Sequence, residues 1–124
     1  MKKTLLTLGI FILFSAFRVQ PFEDVIRAIR SGDAAQVSQY FDNTLEISLP
    51  DKSSSYNRNQ AQQVLQDFFS SNAVRDFEIL HTSENADAKY CIGNLKTSNG
   101  TFRTTIFMKQ KGNRTLLQEI RFEK

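Results

Sequence analysis

From Val74 to its last residue the chain reads as four strand-like segments, joined by turns so tight that little else fits between them. The segments run from about Val74 to Thr82, Lys89 to Thr97, Thr101 to Lys111 and Thr115 to Glu123. Asn99-Gly100 and Gly112-Asn113 separate the last three, and Asn85-Ala86-Asp87 follows the first. Asn-Gly and Gly-Asn pairs accept the positive φ that matches a short turn to the twist of its strands, so the last three segments are predicted to form a meander. A helix ending in Asp67-Phe68-Phe69 comes directly before this run, and two shorter amphipathic helices come before that one. Helices gathered at one end and antiparallel strands at the other predict an α+β domain, one curled sheet wrapped around its helices.

Phe22, Val25, Ile26 and Ile29 stand at i, i+3, i+4 and i+7, one face of a first helix. Pro21 precedes it, and Gly32 supplies the left-handed conformation that closes such a helix. Asp33 then caps a second helix with Val37, Tyr40 and Phe41 as its apolar face and Asp42-Asn43 at its end. Leu45, Ile47 and Leu49 alternate with Glu46 and Ser48, as in a half-buried strand. Pro50 and residues 51–55 read as a polar turn, with Tyr56 in a short returning strand. Asn57 and Gln60 have the spacing of a capping box, which starts the third helix. Its apolar stripe is Ala61, Val64, Leu65, Phe68 and Phe69, and it ends near Ser71.

Composition matters most at the N-terminus. Lys2-Lys3 stand before an apolar run from Leu5 to Phe14, and the small residues Ser15-Ala16 follow it. A short basic region and then about ten apolar residues fit a secretory signal peptide. The run falls short of the ~20 residues that span a bilayer. Residues 1–19 are read as a leader and 20–124 as one domain, with the mature start between Phe17 and Phe22. The product is expected to be exported, periplasmic or secreted, with no stable membrane anchor. The formal charge of +3 comes from 16 basic against 13 acidic residues. Lys2, Lys3 and Arg18 all fall in the leader, which leaves 13 of each sign in the remaining chain. The basic character is thus a property of the targeting segment, and attraction to nucleic acid is not expected. Arg103, Lys109, Lys111, Arg114, Arg121 and Lys124 outnumber Glu119 and Glu123 near the C-terminus and read as a solvated strand face.

Alternation shows which strand faces are covered. Phe77 and Ile79 alternate against Glu78, and Leu116, Ile120 and Phe122 against Glu119, Arg121 and Glu123. Ile106, Phe107 and Met108 break the pattern, and a strand apolar on both faces is usually covered on both. With Ile106 and Met108 turned to the helices, Phe107 points away from them. The expectation is a homodimer built on the outer sheet face around Phe107.

Motifs for chemistry are lacking. One His and one Cys cannot compose a structural zinc site of the usual ligands, so no metal is expected. The glycines are scattered, mostly at turns, and form no phosphate cradle, and no cofactor is expected. Ser53-Ser54-Ser55 has no base nearby in sequence. Cys91, the only cysteine, cannot form an internal disulfide and reads as a buried, inert thiol in a strand.

The stretch from Ser31-Gly32-Asp33-Ala34 to Tyr40-Phe41-Asp42 resembles the helical opening of the nuclear transport factor 2-like superfamily. Within it the chain is most similar to a family of small secreted bacterial proteins of unknown function. That similarity rests on Asp67-Phe68-Phe69, Phe77-Glu78-Ile79-Leu80-His81, Tyr90-Cys91-Ile92-Gly93, Thr97-Ser98-Asn99-Gly100-Thr101-Phe102-Arg103 and Ile120-Arg121-Phe122-Glu123. It spans the whole mature chain and implies a cystatin-like cone, three helices packed in a curled, mostly antiparallel sheet. It names no chemistry, because one fold hosts many activities. Enzymes of the superfamily, ketosteroid isomerase-like and polyketide cyclase-like, use an acidic or His-Asp base in the cone opposite a hydrogen-bond donor. Here His81 is the only histidine and shares strand parity with Phe77 and Ile79, which puts it at the cavity mouth. Tyr40, Tyr56 and Tyr90 are the hydroxyl donors. Asp76 and Glu78 fall on the opposite face, so no acid partners the imidazole and no catalytic residue is assigned.

His81, Tyr40, Tyr90 and Phe69 are the candidate ligand-binding residues. The leading expectation is an exported non-enzymatic domain of unknown function. It would bind a small apolar molecule or a protein partner through its cone, lined by Phe41, Phe68, Phe69 and Phe77, or through its sheet face. The alternatives are a structural dimerisation module with a filled cone, and a weak isomerase or hydrolase using His81. A cone plugged by Phe side chains favours the module.

Overall fold

The structure is a computed structural model that describes residues 20–124; the leader expected at 1–19 lies outside the described residues. Two helices come first, α1 (Pro21–Arg30) and α2 (Ala34–Ser38), and then a hairpin of β1 (Phe41–Leu49) and β2 (Lys52–Asn57). After α3 (Arg58–Ser71) come β3 (Val74–Glu84), β4 (Ala88–Thr97), β5 (Gly100–Lys111) and β6 (Arg114–Glu123). Local signals set the helix ends. α1 begins with Pro21, has Glu23 and Asp24 in its first turn and Arg27 and Arg30 in its last, each favoured by the helix dipole. Gly32 follows it with φ of +68°. Asp33 caps α2 by accepting from the Gln36 amide at 3.0 Å, and Asn57 and Gln60 close a reciprocal capping box on α3.

Two boundaries differ from expectation. Tyr40, Phe41 and Asp42-Asn43 lie beyond α2, which stops at Ser38. Phe41 instead pairs with Leu117 of β6, and the Leu117 amide donates to the Tyr40 carbonyl. A helix this short has few internal hydrogen bonds to set against a strand ladder. The expected polar turn at 51–55 is mostly strand: Lys52 to Asn57 pair in register with Leu49 to Thr44. Seryl side chains suit that strand because it is an exposed edge.

The sheet runs β2-β1-β6-β5-β4-β3. Only β1 and β6 are parallel, and the sheet is curled but not closed. The helices pack in its concavity, which aromatic rings fill. Phe41, Phe77, Phe102 and Phe122 are buried, and so are Phe68 and Phe69 from α3. Phe68 stacks on Phe122 with centroids 4.2 Å apart and meets Phe102 edge-on at 5.1 Å. Arg30 fixes α1 to the sheet by donating from Nη2 to the Phe77 carbonyl at 3.0 Å. Gly93 lets β4 pass closely, for a Cβ there would stand 2.6 Å from the Glu78 carbonyl oxygen and 2.7 Å from the Phe77 ring.

Candidate functional site

Strand pairing settles which way each side chain of β3 points. Phe77 and Ile79 lie opposite Leu95 and Gly93 and face the helices. The register then slips, and Leu80 is the extra residue, so His81 lies opposite Ile92 instead of facing inward. A bulge of one residue reverses the side-chain alternation after it. The expected position of His81 at the cavity mouth is therefore corrected: it stands on the outer face, and the alternation that placed it inside ends at Leu80.

The same ladder gathers an apolar cluster on that outer face. Tyr90 of β4 lies opposite Phe107 of β5, which lies opposite Glu119 of β6. One row along, His81, Ile92, Thr105 and Arg121 stand side by side across β3, β4, β5 and β6. The His81 and Tyr90 rings meet edge to face, 5.9 Å between centroids. Tyr90, Ile92 and Phe107 are half-buried by their neighbours, while Leu80 is 51% exposed at the border. Both charge signs frame the cluster. Arg121 bonds Glu119 at 2.9 Å and approaches Glu123 at 4.0 Å, and Lys96 lies 3.7 Å from Glu78. Among the described residues no ion pair joins His81 to a carboxylate.

The structure thus brings together two of the four candidate residues, His81 and Tyr90, beside Phe107. Tyr40 and Phe69 are elsewhere. The Tyr40 hydroxyl donates to Asp24 Oδ2 at 3.0 Å, and burial, with help from that carboxylate, raises its pKa. It borders a recess of about 370 Å³ with Pro21, Gln39 and Arg114. Phe69 touches a groove of about 410 Å³ beside Gly32 and Asp33, but its ring is 93% buried against the core, at 7% exposure. Cys91 is fully buried, and desolvation pushes its thiol up to about 11. It stays neutral and unreactive at physiological pH.

With the cone filled, open space lies at its margin. A groove of about 510 Å³ runs between the β1–β2 turn and the C-terminal half of α3, with Leu49, Val64, Phe68 and Phe102 among its lining and Lys52 and Lys124 at its rim. Lys124 Nζ stands 4.7 Å from the Phe102 centroid and donates to the Asn99 carbonyl. Among the described residues no group of three His, Cys, Asp or Glu side chains could hold a metal ion.

One polar cluster escaped the sequence. Asp42 is buried, yet its carboxylate accepts from Lys111 Nζ at 2.7 Å, from Gln118 and from the Asn43 amide. The Lys111 hydrogen bond outweighs the burial that opposes it and holds the carboxyl below its ordinary pKa. The only signal was an acid directly after Tyr40-Phe41, which reads equally well as a helix end.

Comparison with known proteins fits this geometry. Solved structures of DUF4783 family proteins from Bacteroides ovatus and Bacteroides fragilis superpose with TM-scores of 0.78 and 0.77, at 30% and 32% identity. Each alignment covers 82% of this chain, and 92% and 95% of those chains respectively. A cystatin-fold protein from Novosphingobium aromaticivorans, 11% identical, shares the fold with a TM-score of 0.60 over 84% of this chain and 95% of its own. Among curated proteins none matches the chain. The family model described as "Domain of unknown function (DUF4783)" matches residues 22–123, nearly the whole described domain, and the chain belongs to that family, with an NTF2-like fold.

Proposed function

We propose that the protein is an exported, non-enzymatic interaction domain whose outer sheet face docks a second copy of itself. The observation that carries this reading is the outward cluster of Phe107, Tyr90, Ile92 and His81, an apolar row on a sheet face that the helices leave uncovered. Such rows are rarely left to solvent, and two-fold self-association is the commonest cover. Arg121 and Lys96 frame it beside Glu119, Glu123 and Glu78, and the ion pairs among them leave both signs available to pair across an identical face. The filled cone supports docking on the outside over binding within. His81 lies against Tyr90 and Ile92, and among the described residues no carboxylate forms an ion pair with it, which speaks against proton transfer.

Sedimentation velocity across a concentration series tests the reading. A dimer of the exported chain is expected, and Phe107→Glu splits it into monomers that melt like the parent. A monomer at every concentration overturns it. His81→Ala is expected to remove no turnover of model esters or enolisable ketones, and lost turnover would place the protein among enzymes.

The groove lined by Leu49, Val64, Phe68 and Phe102 favours a second reading, a small apolar ligand held at the margin of the cone. Native mass spectrometry of protein recovered from exporting cells reports retained ligand and oligomeric state together.

A further inference from the structure

The two edges of the sheet are treated differently. β3 forms one edge, and its register slips twice, at Arg75 and at Leu80. Arg30 occupies one of its carbonyls, donating from both Nε and Nη2 to Phe77, at 3.3 and 3.0 Å. Bulges and an occupied carbonyl are devices that keep foreign strands off an edge. β2 forms the other edge and has neither device. Its six residues pair with β1 without a register shift. It contains no proline, and its one charge, Lys52, sits at the turn, away from Ser53, Ser54, Ser55 and Tyr56. All of β2 except the half-buried Tyr56 is exposed. Among the described residues, the backbone of residues 53–56 makes no backbone hydrogen bond except to β1. Among the described residues Ser54 Oγ, at 3.5 Å from the Ser55 carbonyl, is the sole side chain that bonds those peptide groups.

We propose that β2 is a docking edge for an extended segment of a partner polypeptide, which adds to the sheet as a seventh strand. Half of the peptide groups of a strand face each neighbour, so a strand at the margin offers a row of donors and acceptors over about 20 Å for six residues. The chemistry of the partner follows from the side chains it would meet. Tyr56 and Ser54 lie opposite Leu45 and Ile47 of β1, on the face turned to the helices. Ser53 and Ser55 lie opposite Ser48 and Glu46, on the outer face. An added strand thus carries an aliphatic or β-branched residue beside Tyr56 and small polar residues on its outer side. The sequence of β1 already has that alternation, Thr44-Leu45-Glu46-Ile47-Ser48-Leu49, which makes it a rational probe.

Hydrogen exchange of the exported protein tests the proposal, with a capped peptide of residues 44–49 added in excess. Amides of β2 that face away from β1 are expected to exchange about tenfold more slowly with peptide present. Two N-methylated versions of the peptide, methylated on alternate residues, separate strand addition from side-chain adhesion. A strand uses the N–H groups of one edge only, so one version retains the protection and the other loses it. Equal behaviour of the two versions overturns the proposal, as does unchanged β2 exchange or protection appearing elsewhere. Lost protection in β1 would mean that the peptide displaces the resident strand and likewise overturns it. Concentration-dependent protection of β2 without peptide would assign this edge to a second copy of the chain and overturn it too.

Discussion

Asp42 opens β1 with a buried carboxylate that reaches Lys111 at the end of β5 and Gln118 in β6. Its carboxyl pKa is depressed in the folded chain, the Lys111 hydrogen bond being the main cause, so the folded state holds that proton less tightly than the unfolded state does. The stabilisation is complete above the ordinary carboxylate value and is lost as pH falls through the depressed folded value. Asp42→Asn is expected to cost about 1–3 kcal/mol at neutral pH. Denaturant titrations on acidification should show that gap narrowing, and a constant gap would mean that the pairing contributes nothing. Gly93→Ala is a steric counterpart. Its Cβ would press on the Glu78 carbonyl at 2.6 Å, and backbone cannot swing aside as a side chain does. The expected loss is about 1–3 kcal/mol, read from the denaturation midpoint. Neither position was legible in the sequence as what it is. Asp42 looked like a helix end and Gly93 like any strand residue, because the atoms they meet come from strands far away in the chain. His81 was misplaced for a related reason, since alternation is read one residue at a time and a bulge leaves no mark in it.

Elements were legible where local physics decides them. α3 carries its capping box and apolar stripe within fourteen residues, and the β4–β5 and β5–β6 turns hold Gly100 and Gly112 at positive φ. The α2–β1 boundary was not legible, because Phe41 obeys the ladder with Leu117 rather than the helix before it. The β3 bulge can be tested as a unit with α3. Phe68 is buried between Phe122 and Phe102, so Phe68→Ala should cost about 3–5 kcal/mol. Leu80, half exposed in the bulge, should tolerate Leu80→Ala within about 0.5 kcal/mol. Urea unfolding of the two variants side by side measures the contrast, and equal losses would mean that Leu80 packs against the core in solution.

At the scale of the molecule, the cone was legible from the order of helices and strands, whereas its filling was not. Phe41, Phe68, Phe69 and Phe77 could line a cavity or plug one, and only the stacking of Phe68 on Phe122 distinguishes the two. The relation of leader to domain carries the remaining expectation. The Gln20 carbonyl accepts the Asp24 amide at the start of α1, and among the described residues Phe22 is the first buried side chain. Cleavage before Gln20 therefore leaves the helix start and the core untouched, whereas a cut beyond Phe22 would remove a core residue and open α1. A mature chain that begins after Arg18 also loses Lys2, Lys3 and Arg18, which takes the formal charge from +3 to zero. N-terminal sequencing of protein recovered outside the cytoplasm is expected to begin between Phe17 and Phe22, and isoelectric focusing should show the mature chain well below the full-length chain. Intact Met1 recovered from the membrane fraction would instead make the apolar run a membrane anchor.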